Sequence, residues 1–549
     1  MTWSAEFIDQ LSDRSLSPIF ILHFWDGNSY GAAGVGNTYV ISSHPYGPAV
    51  DEIKIARDGV SIGSASVTPG AWSYTAGTWT VQIAGEIGEL LQNVTRGSLA
   101  QLRVAFDPDA TGWGGDMGEP IAIGVLTNIR GRPPTYTLEF WDVIAAMQSR
   151  RDVTTFDGTW LAGFANLFYN AGRSSTLAAD FDPSSDSDFE LVSSTNFEKG
   201  ATSGLVRIEP SSGSADPYYV SWTSLSTNTF SGLSVGLIAS TTSAAVIGDE
   251  VYNCGYLYDR PGKIIKRLMT STGAGSNGTA DVYPASWGFG LPYTWIDFDD
   301  LDQWSDQVSD IDSSNAKSDQ IWQMAIEEPI SNAASWLSSV LSASGCWLVT
   351  RQGRISMRCC QDPEGEDLTS GATTINQTPI ESGITITDHD ISEIIEWEAF
   401  DSQVPAEAGD FRAYVNDNVN PYSQIAEEET ASTLPAYVPA ETDLRDIVHG
   451  AGAAGSLDSS RGTAYRMGRW TTRIPERLTI DCAGLRMAQL VPGDLVRLTT
   501  SHMHGRLDST ALEYDDRAAM VLSVSVNWHS PRVSLSLSIL PSYAESFSG

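Results

Sequence analysis

The stretch Val491-Pro492-Gly493-Asp494, followed by Leu495-Val496-Arg497-Leu498, decides how the C-terminal part of the chain folds. Pro at the second position and Gly at the third fit a type II turn, because Pro presets its own φ and Gly accepts a positive φ. The next four residues predict a strand. Two later runs, Val521–Val526 and Val533–Ile539, alternate apolar and small polar residues with a period of two. Each would bury one face and expose the other, which is typical of a barrel or sandwich wall.

The N-terminal part of the chain also predicts an all-β domain. Short β-rich segments, separated by Gly, Pro, Asp or Asn, read as strands. These segments lie at residues 18–25, 51–56, 78–84, 100–106 and 121–129. After a break at Pro133-Pro134, Tyr136–Asp142 predicts one more strand, and a short helix follows to Arg150.

The middle of the chain predicts a small α+β domain. Pro261–Met269 predicts a helix with Pro in its first turn and an apolar stripe along one side. A second helix, over residues 332–344, is predicted to end at Gly345. A hairpin would then pair Cys346–Thr350 with Arg354–Arg358.

Two further regions have weaker patterns. Residues 152–250 are rich in Ser, Thr, Asp and Gly, which indicates either an inserted peripheral domain or long decorated loops. The connection from Asn416 to Asp446 contains Glu427-Glu428-Glu429 and several prolines, so it is predicted to be a loop or an edge excursion.

Three of these segments resemble tail hub proteins of long-tailed bacteriophages and gene transfer agents. The first is the ending that begins at Pro492-Gly493-Asp494 and closes with the two alternating strands. The second combines Ser271–Gly278 with Pro284–Pro292, which has the form P-x-x-W-G-x-G. The third, Gly124–Arg150, is similar to the close of a hub protein's first tube-like barrel.

The resemblance implies a multidomain, mainly β fold with α+β parts, in which two tube-like β-barrels flank a small α+β domain. The domains would be an N-terminal barrel at 1–151, a Ser/Thr/Asp-rich peripheral insertion at 152–250, an α+β connector at 251–379 and a C-terminal barrel at 380–549. In that family such a barrel mimics the tail-tube subunit. Three copies then carry six barrels and join a sixfold tube to a threefold tip.

The resemblance also implies a structural virion protein of the tail tip or baseplate, made in the host cytoplasm, with no enzymatic activity and no cofactor. Its implied partners are two further copies of itself, a tail tube or distal tail protein, the tape-measure protein and a tail-tip or fibre protein. DNA would only pass through the lumen during ejection. This chain alone is not expected to insert into a membrane.

Composition limits the alternatives. The chain has 549 residues, enough for several domains, and 68 acidic against 32 basic residues give a net charge of −36. So negative a surface repels phosphates and excludes a protein that grips DNA. The acidity either keeps the chain soluble or, in a DNA conduit, prevents passing DNA from adhering. No apolar run is long enough to span a bilayer, and Met1–Phe7 lacks the features of a secretory signal.

Candidate metal and cluster ligands have only weak patterns. The odd number of cysteines predicts reduced thiols, and Cys359 and Cys360, adjacent on a strand, would point to opposite faces and disfavour an iron–sulfur cluster. His502 and His504 would share a strand face and could hold a metal together with a carboxylate, but such pairs are more typical of surface loops. The acidic cluster at residues 180–190 lacks EF-hand spacing and predicts a solvated loop. That cluster consists of Asp180, Asp182, Asp186, Asp188 and Glu190, and the cysteines are Cys254, Cys346, Cys359, Cys360 and Cys482.

Catalytic motifs occur without the context that they need. Gly59–Gly63 and Gly232–Gly236 fit G-x-S-x-G, but a nucleophile elbow needs a strand before it and a helix after it, and neither context is convincing. Gly273–Gly278 fits G-x-G-x-x-G, but it follows a predicted helix and no helix N-terminus follows to hold a pyrophosphate. We therefore predict no catalytic, cofactor-binding or metal-binding residue.

The alternative function is a glycan-binding or glycan-degrading tail protein that acts on the host surface. The chain has 17 Trp, and flat aromatic rings stack on sugars while carboxylates can act on glycosidic bonds. Trp in a chain of this size is more typical of a core. Both functions could hold if the 152–250 insertion makes the glycan contact.

Overall fold

The computed structural model gives a mainly β, multidomain protein, which confirms the predicted fold class. It describes residues 3–11, 18–24, 39–44, 53–68, 73–106, 118–148, 167–200, 203–211, 217–235, 243–259, 261–270, 283–284, 287–289, 291, 295–309, 322–331, 333–343, 345–361, 367–370, 373–376, 379–398, 410–415, 424–429, 441–444, 448–449, 475–502 and 514–539.

The first half of the chain consists mainly of strands, with a few short helices between them. Residues 3–148 contain α1 (Ala5–Gln10), β1 (Ile19–Phe24), β2 (Tyr39–Ser42), β3 (Ile53–Ile62), β4 (Ala65–Thr68), β5 (Ser73–Thr75), β6 (Thr78–Gly85), α2 (Gly88–Asn93), β7 (Leu99–Ala105), β8 (Glu119–Arg132), β9 (Thr135–Asp142) and α3 (Val143–Gln148). Residues 167–270 contain β10 (Ser174–Thr176), β11 (Asp188–Glu190), β12 (Gly204–Glu209), β13 (Tyr218–Trp222), β14 (Ser224–Ser226), β15 (Thr229–Ser231), β16 (Ser234–Val235), β17 (Glu250–Asp259) and α4 (Pro261–Thr270).

The second half has two longer helices and a further series of strands. Residues 295–376 contain α5 (Phe298–Ser309), β18 (Trp322–Ile326), α6 (Ala333–Ala343), β19 (Cys346–Arg351), β20 (Arg354–Cys359), β21 (Asp367–Ser370) and β22 (Thr373–Asn376). Residues 379–539 contain β23 (Glu381–Thr387), β24 (Ile391–Glu398), β25 (Asp410–Val415), β26 (Gln424–Glu429), β27 (Glu441–Leu444), β28 (Val448–His449), β29 (Glu476–Ala483), a 3-10 helix (Arg486–Gln489), β30 (Leu495–Thr500), β31 (Tyr514–Asn527) and β32 (Arg532–Ile539).

The N-terminal part forms a closed barrel, in the order β1-β2-β3-β6-β9-β8-β7, and β7 pairs with β1 to complete it. The strands predicted there are confirmed. Along β6, burial alternates because every second side chain points into the barrel. Trp79 from this strand stacks on Phe140 from β9 inside the barrel, with ring centroids 3.8 Å apart.

The described residues of the predicted insertion form β structure. Its main sheet has the local order β16-β13-β12-β17, with β10 also on β17, and β11-β15-β14 form a second, smaller sheet. Both sheets enclose a hydrophobic core built only from residues of the insertion and the start of β17, including Phe189, Trp222 and Phe230. Sequence patterns miss this core because its apolar residues are spread over many short strands.

The connector contains the two helices and the hairpin that the sequence predicts. The helices are α4 and α6, and β19 and β20 pair in register from Cys346 opposite Cys359 to Arg351 opposite Arg354. Gly345 has φ +65°, so it ends α6 in the left-handed conformation that favours Gly. β17 crosses the predicted boundary at 250/251, because it pairs with β12 of the insertion and with β18 of the connector.

The C-terminal part forms a sheet in the order β23-β30-β31-β32-β29-β24. Its two end strands, β23 and β24, follow each other across the short turn Asp388–Asp390. The sheet therefore curls until its edges lie side by side at this turn. The described residues show no hydrogen-bonded ladder between those edges, so the predicted barrel is incomplete here. The pairing of β24 with β29 has two register shifts, near Glu393 and Ile395, and such bulges bend a strand.

The segment 416–446, predicted to be a loop or an edge excursion, contains two strands in its described part. β26 lies antiparallel and β27 parallel to β25, and the three strands form a small sheet. Pairing with β25 satisfies the backbone groups of this acidic segment, and composition alone does not reveal such a partner.

The two β domains are joined directly. The hairpin β4–β5 leaves the first barrel between β3 and β6, and its Ser66 lies opposite Ser523 of β31. Side chains of both domains share one hydrophobic core, in which Phe20 of the barrel lies in the same cluster as Val524 and Trp528 of the C-terminal sheet. His529 extends this contact, since its ring nitrogen Nε2 lies 3.0 Å from the carbonyl of Val60.

Among the described residues no helix is both long and apolar enough to cross a membrane.

The separate core of the insertion makes a testable prediction. Phe230 is fully buried and stacks on Phe189 with ring centroids 4.8 Å apart. We expect Phe230→Ala to destabilise the insertion by about 3–5 kcal/mol and to raise hydrogen exchange within residues 177–251 only. Leu102→Ala, in the first barrel, is the matched control and should raise exchange in the barrel instead. Equal loosening of the whole chain by Phe230→Ala would contradict a separate core.

Candidate functional site

The candidate functional site is the central hairpin, residues 346–359, which lies between the two β domains. Its turn has Gln352 at φ +50° and Gly353 at φ +63°, the pair of positive values that a two-residue type I′ turn requires. The strand β19 contacts the first barrel and α6, whereas β20 contacts α5 and the C-terminal sheet. The central hairpin therefore connects the two β domains. We call the hairpin and its contacts with these domains and with α5 the joint.

The turn of the central hairpin docks on the first barrel. The backbone N–H of Trp3 donates to Gln352 Oε1 at 2.9 Å, and the Trp3 indole N–H donates to the carbonyl of Pro120 at 2.8 Å. A Cβ on Gly353 would lie 2.7 Å from the Cβ of Pro120. Glycine at this position thus allows both the turn and the close approach of the barrel.

A buried carboxylate fixes the strand β19 to the same barrel. Asp142, at the end of β9, accepts hydrogen bonds from the Thr350 hydroxyl and from the Ile144 backbone N–H, both at 2.8 Å. Burial raises the pKa of Asp142 to about 7, although these hydrogen bonds act to lower it. This contact should therefore respond to pH near neutrality.

The strand β20 carries a deeply buried cation, Arg358. Its Nε donates to Asp494 at 2.7 Å and its Nη1 donates to Asp300 at 2.6 Å. The side chains of Arg358, Asp300 and Asp494 are only 2%, 8% and 9% exposed. The guanidinium also lies over the ring of Trp304, 4.7 Å from its centroid. Three elements far apart in sequence meet at this one cation.

Asp300 remains ionised in this environment. Burial alone would raise its pKa, but the charges of Arg358 and Arg351 and a hydrogen bond from Ser356 bring the pKa below its usual value. Arg351 lies 2.7 Å from the second oxygen of Asp300. The buried pair is therefore a true ion pair with its remaining acceptors satisfied.

The turn Pro492-Gly493 is the contact of the C-terminal sheet with the central hairpin. The Asp494 N–H donates to the Val491 carbonyl at 3.1 Å, and Gly493 has φ +104°, which confirms the predicted turn with Gly at its third position. The Trp347 indole donates to the Pro492 carbonyl at 3.3 Å. A Cβ on Gly493 would lie 2.6 Å from the Trp347 ring and 2.9 Å from the Cβ of Arg358. Glycine is needed at this turn for packing as well as for its conformation.

The helix α5 positions Asp300. Neither this helix nor the role of this aspartate was predicted from the sequence. Asp297 precedes the helix, its carboxylate accepts from the Asp300 N–H at 3.4 Å, and its carbonyl accepts from the Leu301 N–H at 2.9 Å. The signal in the sequence is an aspartate at a helix start followed by apolar Leu301 and Trp304 at helical spacing. The sequence pattern places Arg358 in a strand and Asp494 in a turn, without a role for either charge.

A cleft of about 320 Å³ opens beside this ion network, between α5 and the start of β23. It is lined on the connector side by Asp299, Gln303 and Arg351, and on the other side by Glu381 and Gln489. The lining is mainly polar and carries more carboxylates than guanidinium groups. This cleft separates the connector from the C-terminal sheet at the solvent side of the joint.

The serine and glycine motifs lie away from this site. Gly59–Gly63 lies along β3 and its end, with no helix after it, and Ser234 lies in the short strand β16. Gly236 and the Gly273–Gly278 motif fall outside the described residues, as does most of the second segment of the sequence resemblance. Neither described serine has the strand–turn–helix context of a nucleophile elbow.

The candidate metal ligands Asp388 and His502 lie away from the central hairpin, whereas Cys346 and Cys359 are its first and last residues. Asp388 does lie beside His502, 3.7 Å from its Nε2, but the carboxylate already accepts hydrogen bonds from Thr500 and Ser501, which lower its pKa to about 2. His504 lies outside the described residues. Within the described part of the chain, no group of three or more His, Cys, Asp or Glu side chains could hold a metal. All five cysteines are buried, and none of them forms a disulfide.

The acidic cluster of the insertion is a turn with solvent-exposed carboxylates. Asp182 accepts hydrogen bonds from the N–H and hydroxyl of Ser184, which lower its pKa, and Asp186 accepts from the Asp182 N–H at 2.7 Å. Asp180 accepts from the Ile247 N–H at 2.8 Å. These carboxylates serve the local backbone.

The buried ion network gives a stability prediction. Arg358→Ala removes the cation shared by Asp300 and Asp494, and Asp300 keeps only its contact with Arg351. We therefore expect a loss of about 3–5 kcal/mol in the free energy of unfolding, measured by urea denaturation. The triple variant Arg358→Met, Asp300→Asn and Asp494→Asn removes all three charges together and should recover most of that loss. A loss below about 1 kcal/mol for Arg358→Ala, the range of an exposed ion pair, would contradict the assigned role.

Asp142 gives a pH prediction. Its pKa of about 7 in the folded protein lies above the ordinary value of 3.8, so the folded protein binds this proton more tightly than the unfolded chain does. This contribution to stability is complete below about pH 4 and is lost as pH rises to about 7. We expect the stability difference between wild type and Asp142→Asn to change over this range, measured by thermal unfolding at pH 5 and pH 8. Asp9→Asn, on the exposed side of α1, is the control and should show no such change.

Comparison with known proteins finds no matching family model and no matching curated protein. Among solved structures, the chain is similar to the 43 kDa tail protein of prophage MuSo2 from Shewanella oneidensis, at 9% identity over 89% of this chain and 97% of that one, with a TM-score of 0.33. It is similar to prophage tail protein gp18 from Listeria monocytogenes EGD-e at 8% identity, over 95% and 94% of the two chains, with a TM-score of 0.31.

A third similarity is to a chain in the virion of a native gene transfer agent particle. The identity is 14%, over 46% of this chain and 83% of that one, with a TM-score of 0.17. The names of these three structures refer to phage tail proteins and a gene transfer agent.

Proposed function

We propose that this chain is a structural virion protein, a hub at the distal end of a phage-type tail. Three copies would contribute two β domains each, and so join a sixfold tail tube to a threefold tip around a channel for DNA ejection. Its partners would be two further copies, the tail tube or distal tail protein, the tape-measure protein and a tip or fibre protein. It would be located in the virion, with domains at 1–151, 152–250, 251–379 and 380–549.

One observation carries this proposal. A closed barrel and a curled sheet lie side by side in one chain, joined by the β4–β5 hairpin and by a shared core. Each copy therefore presents two barrel-like units at a fixed separation. A protein that adapts sixfold to threefold symmetry needs this property, since two equivalent units per chain make six units per trimer.

The charge is consistent with such a role. The net charge of −36 is far larger than the few ionised groups of the joint can supply, so most of the excess negative charge lies elsewhere in the chain. A negative lumen would repel DNA phosphates and let the molecule pass without binding.

The tryptophan content does not by itself favour the alternative, a glycan-binding or glycan-degrading tail protein that acts on the host surface. Several described tryptophans are core residues, among them Trp79, Trp222, Trp295 and Trp304. Their number therefore reflects packing within the domains.

The oligomeric mass tests the hub proposal. We expect light scattering to show three copies of the chain, near three times 59.2 kDa, either alone or within the complex that forms after addition of the tube protein. Negative-stain images should show rings with a central channel. Gly493→Val should reduce this assembly, because the added side chain collides with Trp347 and Arg358 and disturbs the position of the second β domain. The exposed substitution Leu91→Ala is the control. A chain that stays monomeric with the tube and tip proteins present would exclude the hub function.

A further inference from the structure

Part of the outer face of the insertion packs on the connector core through Leu205 and Tyr219, and the rest of this face carries an ordered polar surface. The inner face of its main sheet packs in the separate core through residues such as Val206, Ile208 and Val220. The alternate residues of the same strands point the other way. On that outer face β13, β12, β17 and β10 lie next to one another.

Two cross-strand rows define this surface, which we call the tyrosine–arginine face. In the first row, Tyr219, Arg207, Tyr252 and Ser174 lie directly opposite one another on the four strands. In the second row, Glu209 lies opposite Glu250, which lies opposite Thr176. Four strands span about 14 Å at a spacing of about 4.8 Å, so the face is broad and nearly flat.

Arg207 is held rigidly at the centre of this face. Its two terminal nitrogens donate to Glu209 and to Glu327, each at 2.6 Å. Its guanidinium lies over the ring of Tyr252, 5.0 Å from the centroid. Glu327 also accepts a hydrogen bond from the Tyr219 hydroxyl. The planar group and its two carboxylates are thus fixed before any ligand arrives.

The groups on this face remain accessible. The side chains of Arg207, Glu209 and Glu327 are 25%, 37% and 38% exposed. Arg207 packs against the Tyr252 ring from β12, while the neighbour of Tyr252 on β10 is the small residue Ser174. A serine covers little of an aromatic ring, so part of the Tyr252 ring faces solvent.

We propose that the tyrosine–arginine face binds an uncharged oligosaccharide, with the Tyr252 ring stacked on the C–H face of one sugar and the carboxylates of Glu209 and Glu250 accepting hydrogen bonds from its hydroxyls. A sugar is suited to this surface because it combines an apolar C–H face with hydroxyl donors. Arg207 keeps the Glu209 carboxylate in place and packs on one face of the Tyr252 ring, while the Tyr252 hydroxyl donates to Glu250.

Other ligand classes fit the face less well. A nucleic acid or other polyanion is repelled by Glu209, Glu250 and Glu327, which outnumber the single arginine. A peptide strand binds to the free edge of a sheet through backbone hydrogen bonds, whereas this surface is the side-chain face of four paired strands. The proposal concerns the insertion, whose core is separate, and does not rest on the hub function.

The test uses the full chain on an array of bacterial cell-surface oligosaccharides, namely peptidoglycan, capsule and lipopolysaccharide fragments, followed by calorimetric titration of the bound species. We expect at least one uncharged oligosaccharide to bind, and Tyr252→Ala to weaken it by about tenfold. Tyr252→Phe keeps the ring and loses only the hydroxyl that donates to Glu250, so it should retain affinity within about threefold. Tyr136→Ala, in the first barrel, is the matched control and should bind as wild type does.

Hydrogen exchange of the complex locates the site. Protection should increase at residues 174–176, 207–209 and 250–252, and the exchange pattern of unliganded Tyr252→Ala should match that of wild type, which shows that the variant is folded. If the array retains no oligosaccharide, or if Tyr252→Ala and Tyr252→Phe both bind with wild-type affinity, the proposal is overturned. Oligomeric mass is measured separately, so a failed glycan test and a failed hub test are distinguishable.

Discussion

The structure depends on one buried cation. Arg358 must find Asp300 and Asp494 at the same time, because an arginine at this depth without its partners costs several kcal/mol. Those partners come from α5 and from the turn before β30, more than fifty and one hundred residues away in the chain. The central hairpin, the helix and the C-terminal sheet can therefore reach their native positions only together. Apolar contacts alone would allow these three elements to shift against one another, whereas the hydrogen bonds of Arg358 are satisfied in only one arrangement of them.

Close backbone approach fixes the rest of the joint. Gly353 and Gly493 lie at the two sides of the central hairpin, and each lacks the Cβ that would collide with the neighbouring domain, Pro120 on one side and Trp347 with Arg358 on the other. Hydrogen bonds from Trp3 and Trp347 cross the same contacts. The hairpin thus holds the closed barrel and the curled sheet, while the β4–β5 hairpin joins them a second time. Two independent connections resist rotation of one β domain against the other, and a relative position fixed in this way is the property that the proposed hub requires.

Features that depend on neighbouring residues could be predicted from the sequence. The Pro492-Gly493 turn, the alternating strands β31 and β32, and the end of α6 at Gly345 each follow from local backbone preference or from a period of two. Features that depend on distant partners could not. The β4–β5 excursion, the pairing of β26 and β27 with β25, and the incomplete closure beside β24 are decided by contacts between segments far apart in sequence. For the same reason Arg358 had no visible role: a strand arginine gains one only when α5 and the Asp494 turn are placed against it.

The separation of the hydrophobic cores bears on how function is divided within the chain. The connector core and the core shared by the two β domains both draw residues from more than one predicted domain, so a substitution there changes the position of one domain against another. The core of the insertion contains only residues 177–251. On its outer face, Leu205 and Tyr219 pack on the connector core, and Glu327 accepts hydrogen bonds from Arg207 and Tyr219. The outer residues beyond these contacts, such as Tyr252 and Ser174, can change with little effect on the joint. A protein built in this way can keep its assembly geometry constant while its recognition surface varies, because the forces that hold the joint and those that hold the insertion act through different residues.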